Sequence, residues 1–342
     1  MFRRAAPLAV LLLLIASFSP AGAVGKQPAG TGSTGTGRVF FPNPVAQLQD
    51  ESLTDQKDAD YAALQPAYRT VELTNLDGSG FLCGDWACVV SETGDPAYST
   101  TNTFTYNRHD DRFEQVMAYF WITTAQNYIR DLGFGSTYRG IDDHPQMVRI
   151  NQWGADNSFA TDHPKYELRF GKGGVDDAED AEVILHEYGH ALHFQSSPTF
   201  YGAGEESGAI GEGFGDYWAA DVTAIFAPTP DPACVADWDS VSYTPGPVHC
   251  LRRLDTSLMY PDDLNGRVHH DGQIWSHALW NLRTALGHEH ADTAILRAQL
   301  GQDNPTMPSL ASDIVAAVAD LYGIGEEAAA RAAFEDRGIP VS

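Results

Sequence analysis

Two histidines and a glutamate are spaced so that they can hold a metal ion and activate water beside it. His186 and His190 stand four residues apart in the stretch Val183-Ile-Leu-His-Glu-Tyr-Gly-His. A helix therefore places both imidazoles on one face, where they can share one Zn²⁺ and leave its other positions open. Glu187 lies beside the first histidine, where its carboxylate can reach a metal-bound water without binding the metal. These residues predict a hydrolytic zinc centre.

Glu212 is the expected third ligand. A catalytic zinc is held by three protein groups and a water, and two histidines with one glutamate form a standard set. Asp216 follows Glu212 by four residues, so it shares a helix face with Glu212 and can accept the second ring N–H of a liganding histidine. A chance match and a metal-free pair of core histidines are the alternatives, and a third ligand at this place weakens both.

Two helices are needed to position these groups. Apolar residues flank the histidines at helical spacing and predict a buried helix that is capped by Asp176 or Asp177. The segment around Glu212 contains glycines that are each about 1 kcal/mol less favourable than alanine inside a helix. They are Gly208, Gly211, Gly213 and Gly215. We interpret them as places where the backbone packs closely near the metal.

The rest of the chain predicts an α+β fold. Residues 61–200 are expected to form an N-terminal lobe with a mixed sheet and the His186 helix. Its strands are predicted at 70–73, 86–90, 147–150 and 166–170, and a long amphipathic helix at 112–132. Residues 201–342 are expected to form a mainly helical C-terminal lobe, with helices at 290–300, 310–322 and 326–336. A chain of this length suits two lobes with an active-site cleft between them.

The N-terminus has the pattern of an export signal. Arg3-Arg4, an apolar run and Ala21-Gly-Ala predict a signal peptide over residues 1–23, and the run is too short to span a membrane. Residues 24–60 are expected to be a flexible linker, rich in Gly, Thr and Ser as far as residue 38, and then an arm that lies on the main body. We therefore expect a secreted protein.

Charge and cysteine content agree with export. The formal net charge of −25 excludes nucleic acid as a partner, because phosphate binding needs the opposite sign. The spacing of the four cysteines favours two local disulfides, Cys83–Cys88 and Cys234–Cys250. We expect a monomer with no appended binding module.

Calcium is an alternative second metal. Asp77, Ser79 and Asp85 offer oxygen ligands within a few residues of one another. A plain hairpin turn accounts for the same residues, because Asp, Gly and Ser are typical turn formers. We favour the turn.

The zinc motif and its surroundings resemble a known family. His-Glu-Tyr-Gly-His at 186–190, Glu206-Ser-Gly-Ala-Ile-Gly-Glu and Gly-Phe-Gly-Asp-Tyr-Trp at 213–218 are similar to the gluzincin metallopeptidases, most closely the fungalysin type and more distantly thermolysin. Residues 112–285 carry the likeness. It implies the two-lobed gluzincin fold and a zinc-dependent endopeptidase that acts on proteins or peptides. His186, His190 and Glu212 would hold the zinc, and Glu187 would take a proton from the zinc-bound water.

The resemblance implies roles for further residues. Val268-His269 is similar to the family's Val-His segment, so His269 is expected to steady the transition state, with His270 as its rival. Tyr201 is implied as a second donor to the developing charge. Asn157 resembles the asparagine that holds the substrate amide, although an ordinary turn asparagine is an alternative.

The resemblance leaves further residues and features undecided. Arg252, or its neighbour Arg253, is implied to hold a substrate carbonyl on the primed side of the cleft. Fungalysin-type precursors carry a large pro-domain, whereas only a short segment follows the signal here, so restraint is expected to be absent or to come from residues 39–60. A non-catalytic binding module and an exopeptidase are the competing functions. The Gly-x-Met-Glu-Asn type motif of related aminopeptidases does not occur.

Overall fold

The computed structural model describes residues 32–90, 94–202, 204–246 and 248–342. The predicted signal peptide and the first part of the predicted linker, residues 24–31, lie outside the described residues. Within the described ranges, no helix combines the length and the apolar character that a membrane span requires.

The first described strand, β1 (Ser33–Phe40), pairs antiparallel with β2 (Tyr68–Leu76) and parallel with β4 (Thr103–Phe104). The prediction of a flexible linker as far as residue 38 is therefore wrong for residues 33–38. Ladder hydrogen bonds come from the backbone, so a strand does not require large side chains. A Cβ on Gly35 would lie 2.5 Å from the carbonyl oxygen of Asn102. The glycine thus permits a close backbone approach instead of marking flexibility.

The segment after β1 lies on the main body. It contains helix α1 (Pro44–Leu48), which begins at Asn43 with a side-chain cap. Its buried residues Val45, Leu53 and Leu64 form a small apolar cluster with Trp238. Because Trp238 is far away in the sequence, this cluster fixes the segment to the rest of the protein.

The second sheet has the strand order β3-β5-β7-β6. Its members are β3 (Ala87–Val89), β5 (Gln146–Arg149), β6 (Phe159–Ala160) and β7 (Glu167–Arg169). The first three strands in this order are parallel, and β6 pairs antiparallel with β7 at the edge. Helix α2 (Arg112–Asp131) is buried along most of its length and packs against β1 and β3. These elements match the predicted mixed sheet and long helix.

Helix α3 (Ala181–Ser196) carries both histidines of the zinc motif. A short 3₁₀ helix (Asp177–Glu179) precedes it, and the cap of α3 is Asp180, whose carboxylate accepts the N–H of Glu182 at 2.9 Å. The prediction that Asp176 or Asp177 caps this helix is therefore wrong. Because the 3₁₀ turn takes up those residues, the α-helix begins later along the chain.

Helices dominate the C-terminal part. Helix α4 (Glu205–Phe226) packs against α3 and against α5 (Val268–Leu286). The predicted C-terminal helices correspond to α6 (His288–Gln299), α7 (Met307–Tyr322) and α8 (Ile324–Glu335). Between α4 and α5, β8 (Cys234–Val235) pairs antiparallel with β9 (Arg252–Arg253). Both predicted disulfides, Cys83–Cys88 and Cys234–Cys250, are confirmed.

The glycines of α4 lie where neighbouring groups approach the helix backbone, as predicted. A Cβ on Gly215 would be 2.7 Å from His186 Nδ1, and one on Gly213 would be 2.3 Å from the carbonyl oxygen of Gly272 in α5. Gly211 faces the ring of Tyr201 in the same way. These contacts explain why α4 tolerates residues of poor helix propensity, since larger ones would push away its neighbours.

One hydrophobic core extends from Val39 in β1 to Ile339 near the C-terminus. The chain is α+β, and the separation into two lobes stays a prediction.

At the position considered for calcium, the carboxylate of Asp77 accepts the N–H of Ser79 at 2.8 Å, and Asp85 accepts from Asn75 at 3.2 Å. These contacts are those of the hairpin turn that the sequence favours.

Candidate active site

His186, His190 and Glu212 come together where α3 packs against α4. One ligand atom from each lies within 4.8 Å of the other two. The Nε2 atom of His186 is 3.4 Å from Glu212 Oε2, and that of His190 is 3.6 Å from Glu212 Oε1. The two helices approach closely because Gly189 of α3 faces Gly215 of α4, where a Cβ on Gly189 would lie 3.0 Å from the opposing Cα.

The donor atoms of this cluster fit a metal ion. Glu212 Oε2 is buried and makes no hydrogen bond, and an orphaned buried carboxylate oxygen is costly unless a cation accompanies it. Burial lowers the pKa of His190 to about 4, so this imidazole is neutral at neutral pH and has a lone pair to offer. Burial opposes ionisation of Glu212, but His186 and His190 hold its pKa below the usual range. Two imidazoles and a carboxylate are a donor set that suits zinc.

The other ring edge of His186 is held by two further side chains. His186 Nδ1 lies 2.9 Å from Asp216 Oδ1, and a carboxylate can only accept, so this nitrogen carries the hydrogen. Arg252 donates to both oxygens of Asp216, at 2.6 and 2.7 Å. Despite the burial of Asp216, Arg252 and His186 lower its pKa to about 2. The hydrogen bond to Asp216 fixes a hydrogen on Nδ1 of His186, and Arg252 holds Asp216 in place. Nε2 of His186 faces Glu212.

Tyr201 contacts the back of the second histidine. Its hydroxyl lies 2.8 Å from His190 Nδ1 and 2.9 Å from His193 Nδ1. Both contacts are on the Nδ1 side of His190, whereas Nε2 of that ring faces Glu212. A hydroxyl can donate one hydrogen and accept another, so these two histidines occupy its hydrogen bonds. The predicted donor role of Tyr201 toward substrate would require it to leave them.

Glu187 is buried beside the candidate ligands, and neither His186 nor His190 lies within ion-pair distance of its carboxylate. Its Oε2 atom makes no hydrogen bond, and the backbone of Ala160 in β6 faces the carboxylate. Burial is the main reason that the pKa of Glu187 rises to about 7, and the negative charge of Glu212 adds to the effect. A carboxylate with this pKa is suited to exchange a proton near neutral pH.

The two histidines at the start of α5 differ in their surroundings. His269 lines the cleft, its side chain is 65% exposed, and its Nε2 atom lies 3.3 Å from Glu212 Oε2. His270 Nδ1 is 2.9 Å from Asp271 Oδ1, a contact within the same helix. Of the two candidates, His269 is the one that faces Glu212.

A cleft of about 930 Å³ is lined by the candidate ligands together with Glu187, Asp216, Tyr201 and His269. Exposed Asn157 lies on its wall, next to β6. Arg252 also lines the cleft, whereas Arg253 points outward and forms ion pairs with Asp231 and Asp255. The sequence left open which of these two arginines faces the substrate. In the structure Arg252 pairs with Asp216 inside the cleft, whereas the partners of Arg253 lie outside it.

Some residues of the site were not foreseen. His193 shares the Tyr201 hydroxyl with His190, and the signal was present, because residues three apart on a helix are neighbours. Asp177 and Asp239 also line the cleft. They come from separate turns, and no local pattern in the sequence indicates that they meet.

The site combines two histidines one turn apart on α3, a glutamate from α4 and a second, buried glutamate. This arrangement is typical of zinc metallopeptidases. The profile of the family "Fungalysin metallopeptidase (M36)" matches residues 98–317. The chain therefore belongs to the fungalysin family of metallopeptidases, and it is a metalloendopeptidase. Membership implies peptide hydrolysis that depends on zinc.

The structure agrees with a known fold of this type. It is similar to the precursor of protealysin, a metalloproteinase from Serratia proteamaculans, with a TM-score of 0.54 and 15% sequence identity. The match covers 74% of this chain and 87% of the other. At this identity the likeness concerns the fold alone. A comparison with curated proteins gave no match.

Proposed function

We propose that the chain is a secreted, monomeric endopeptidase that cuts internal peptide bonds of proteins in a cleft between two lobes. His186, His190 and Glu212 would hold the catalytic zinc. The observation that carries this proposal is the set of three facing donor atoms, in which Glu212 Oε2 is buried and makes no hydrogen bond. When bound, zinc would polarise the scissile carbonyl and make water a better nucleophile at neutral pH.

Glu187 is the proposed general base. It is buried at the cleft and close to the ligands, and its Oε2 atom makes no hydrogen bond. With a pKa of about 7, it can take a proton from the attacking water and later deliver that proton to the leaving amine.

His269 and Asn157 are proposed to contact the substrate. His269 is exposed in the cleft beside Glu212, where its ring N–H can donate to the negative charge that develops on the scissile carbonyl oxygen. Such a donor contributes about 3–4 kcal/mol when it is preorganised. Asn157, on the cleft wall next to the edge strand β6, can hydrogen-bond the substrate backbone as an added strand does.

Asp216, Arg252 and Tyr201 are proposed to position the histidines. Asp216 orients His186, and Arg252 holds Asp216 with two hydrogen bonds. Arg252 also lines the cleft. The substrate role implied for Arg252 is compatible with that position. For Tyr201 we favour the orientation of His190 over direct contact with the substrate, because its hydroxyl already contacts two imidazoles.

Export is proposed with removal of residues 1–23. The support is the basic, then apolar, then small-residue pattern at the N-terminus. Two disulfides add to it, because disulfides persist mainly outside the cytosol. N-terminal sequencing of the exported protein should begin at Val24.

The test of the function is a digest of denatured proteins, with and without a zinc chelator, read by mass spectrometry. The proposal expects internal cuts that disappear with the chelator and return with zinc. Removal of single residues from free N-termini would indicate an exopeptidase instead. One bound zinc without any cleavage would indicate a binding module.

Asp216→Asn is expected to lower zinc affinity by about 10–100-fold. The amide cannot carry the charge that pairs with Arg252, so the hold on His186 loosens. Competition with a chromogenic chelator measures this loss. Asp231→Asn is the matched control, because Asp231 pairs with the outward Arg253. Equal affinity in the two variants would show that Asp216 does not support the metal.

His269→Ala is expected to reduce turnover by about 10²–10³-fold without changing zinc content, because it removes one donor to the transition state. His270→Ala should have a much smaller effect, since His270 contacts Asp271. Steady-state kinetics and metal analysis of both variants test this ranking. The opposite order would mean that His270 is the donor.

A further inference from the structure

Three aspartates meet in the cleft outside the zinc site. Asp156, Asp177 and Asp239 bring carboxylate oxygens within 4.8 Å of one another. They come from three separate segments: the loop before β6 and the 3₁₀ helices Asp177–Glu179 and Asp239–Ser242. All three line the same cleft as Glu187. Within the described ranges, no side-chain nitrogen of Arg, Lys or His lies within 4.0 Å of a carboxylate oxygen of these three aspartates.

Two of these carboxylates are oriented but incompletely bonded. Asp177 Oδ2 accepts the hydroxyl of Ser158, and Asp239 Oδ2 accepts that of Tyr243. The Oδ1 atom of each is buried and makes no hydrogen bond. The two residues are only 2% and 5% exposed. Buried carboxylate oxygens without a partner are unfavourable, so these two atoms are free to accept hydrogen bonds from a group that enters the cleft.

Part of the cleft wall is apolar. Val183, Val235, Ala236 and Leu251 line the cleft together with the aspartates. A bare metal ion would gain nothing from such a wall, because hard cations are held by six or more oxygens. A lysine or arginine side chain has an apolar stem and a charged end. A cleft that combines apolar wall residues with the three aspartates matches that combination.

We call the part of the cleft that is lined by Asp156, Asp177 and Asp239 the acidic pocket. Its position in the chain relates it to the bond that is cut. The helix that bears Glu187 starts directly after the turn that bears Asp177, and Val183 lies one turn before Glu187 on that helix. A side chain in the pocket would therefore belong to a substrate residue close to the scissile bond.

We propose that Asp156, Asp177 and Asp239 form a subsite for a lysine or arginine side chain of the substrate, next to the bond that is hydrolysed. This inference rests on the proposed peptidase function. The ammonium or guanidinium group donates to the free Oδ1 atoms, and Asp156 at the exposed mouth attracts it. The enzyme then selects cutting sites by a basic residue.

The test begins with cleavage mapping, which should show Lys or Arg enriched at one fixed position beside the cut. Matched peptides with Lys, Arg or norleucine at that position then give kcat/KM. Norleucine keeps the stem of lysine without the charge. The basic peptides are expected to exceed the norleucine peptide by about 10²-fold, because a buried polar site rejects an analogue that leaves it unpaired.

Variants connect the preference to the pocket. Asp239→Asn, and independently Asp156→Asn at the exposed mouth, should lower the ratio of lysine to norleucine kcat/KM by about tenfold or more. Asp303→Asn carries the same charge change at an exposed position outside the cleft and should leave the ratio as it is. An unchanged ratio in both pocket variants would overturn the proposal.

Other outcomes separate this inference from the function on which it rests. Chelator-sensitive internal cuts without any basic preference would overturn the subsite and leave the peptidase function intact. Absence of all cleavage would remove both. Calorimetric titration of the zinc-loaded protein with calcium is the last arm. Calcium binding that Asp239→Asn abolishes, together with no basic preference, would identify the cluster as a calcium site.

Discussion

Glu187→Gln protein is expected to bind one zinc ion and to hydrolyse peptides at least about 10²–10⁴-fold more slowly than the parent. The amide has nearly the shape of the carboxylate, and Oε2 of Glu187 makes no hydrogen bond that the change would break. An amide cannot take up a proton at neutral pH. It can therefore neither remove a proton from the attacking water nor deliver one to the leaving amine. Because both steps use the same group, the loss should be at least that of general base catalysis alone.

Kinetics and metal analysis of the same preparation make this result decisive. Glu335→Gln, an exposed position in α8, carries the same charge change and should behave as the parent. Parental turnover in Glu187→Gln would refute the mechanism. Loss of zinc would instead show that Glu187 is a ligand and that the ligand set is wrong.

Glu212→Gln is expected to lower zinc affinity by more than the roughly 10–100-fold that loss of an outer partner costs. Glu212 is the anionic member of the proposed set, and both His186 and His190 face its oxygens. An amide oxygen is a weaker ligand for zinc than a carboxylate, so the metal should be lost at low chelator concentration. Activity should fall in parallel and recover partly when excess zinc is supplied.

The matched control lies on the same helix. Glu205 is exposed in the first turn of α4, and Glu205→Gln removes one negative charge without touching the cluster. Equal zinc affinity in the two variants would mean that Glu212 is not a ligand, and the third ligand would have to be sought elsewhere in the cleft.

Local features were predictable from the sequence because their causes are local. Histidines four residues apart with apolar neighbours require only a helix to meet, and α3 provides it. The same holds for the amphipathic helix α2 and for the short-loop disulfides. The glycines of α4 could be interpreted as close packing because their poor helix propensity needs a compensating contact.

Contacts between distant segments could not be predicted in this way. Residues 33–38 have a linker composition, and only the pairing of β1 with β2 makes them a strand. The hydroxyl of Tyr201 faces His190 and His193 because of how the loop after α3 folds back. Asp177 and Asp239 meet through the packing of two turns 62 residues apart in the printed sequence.

The glycines of α4 limit how this enzyme can be made more heat-resistant. Replacing glycine by alanine in a helix interior is a common stabilising strategy that offers about 1 kcal/mol per site. On α4 the new methyl groups would meet His186 at position 215 and the backbone of α5 at position 213. Stabilising substitutions are therefore better sought on solvent-facing helices such as α8, because at these positions of α4 a gain in helix propensity would be offset by displacement of His186 or of the α5 backbone.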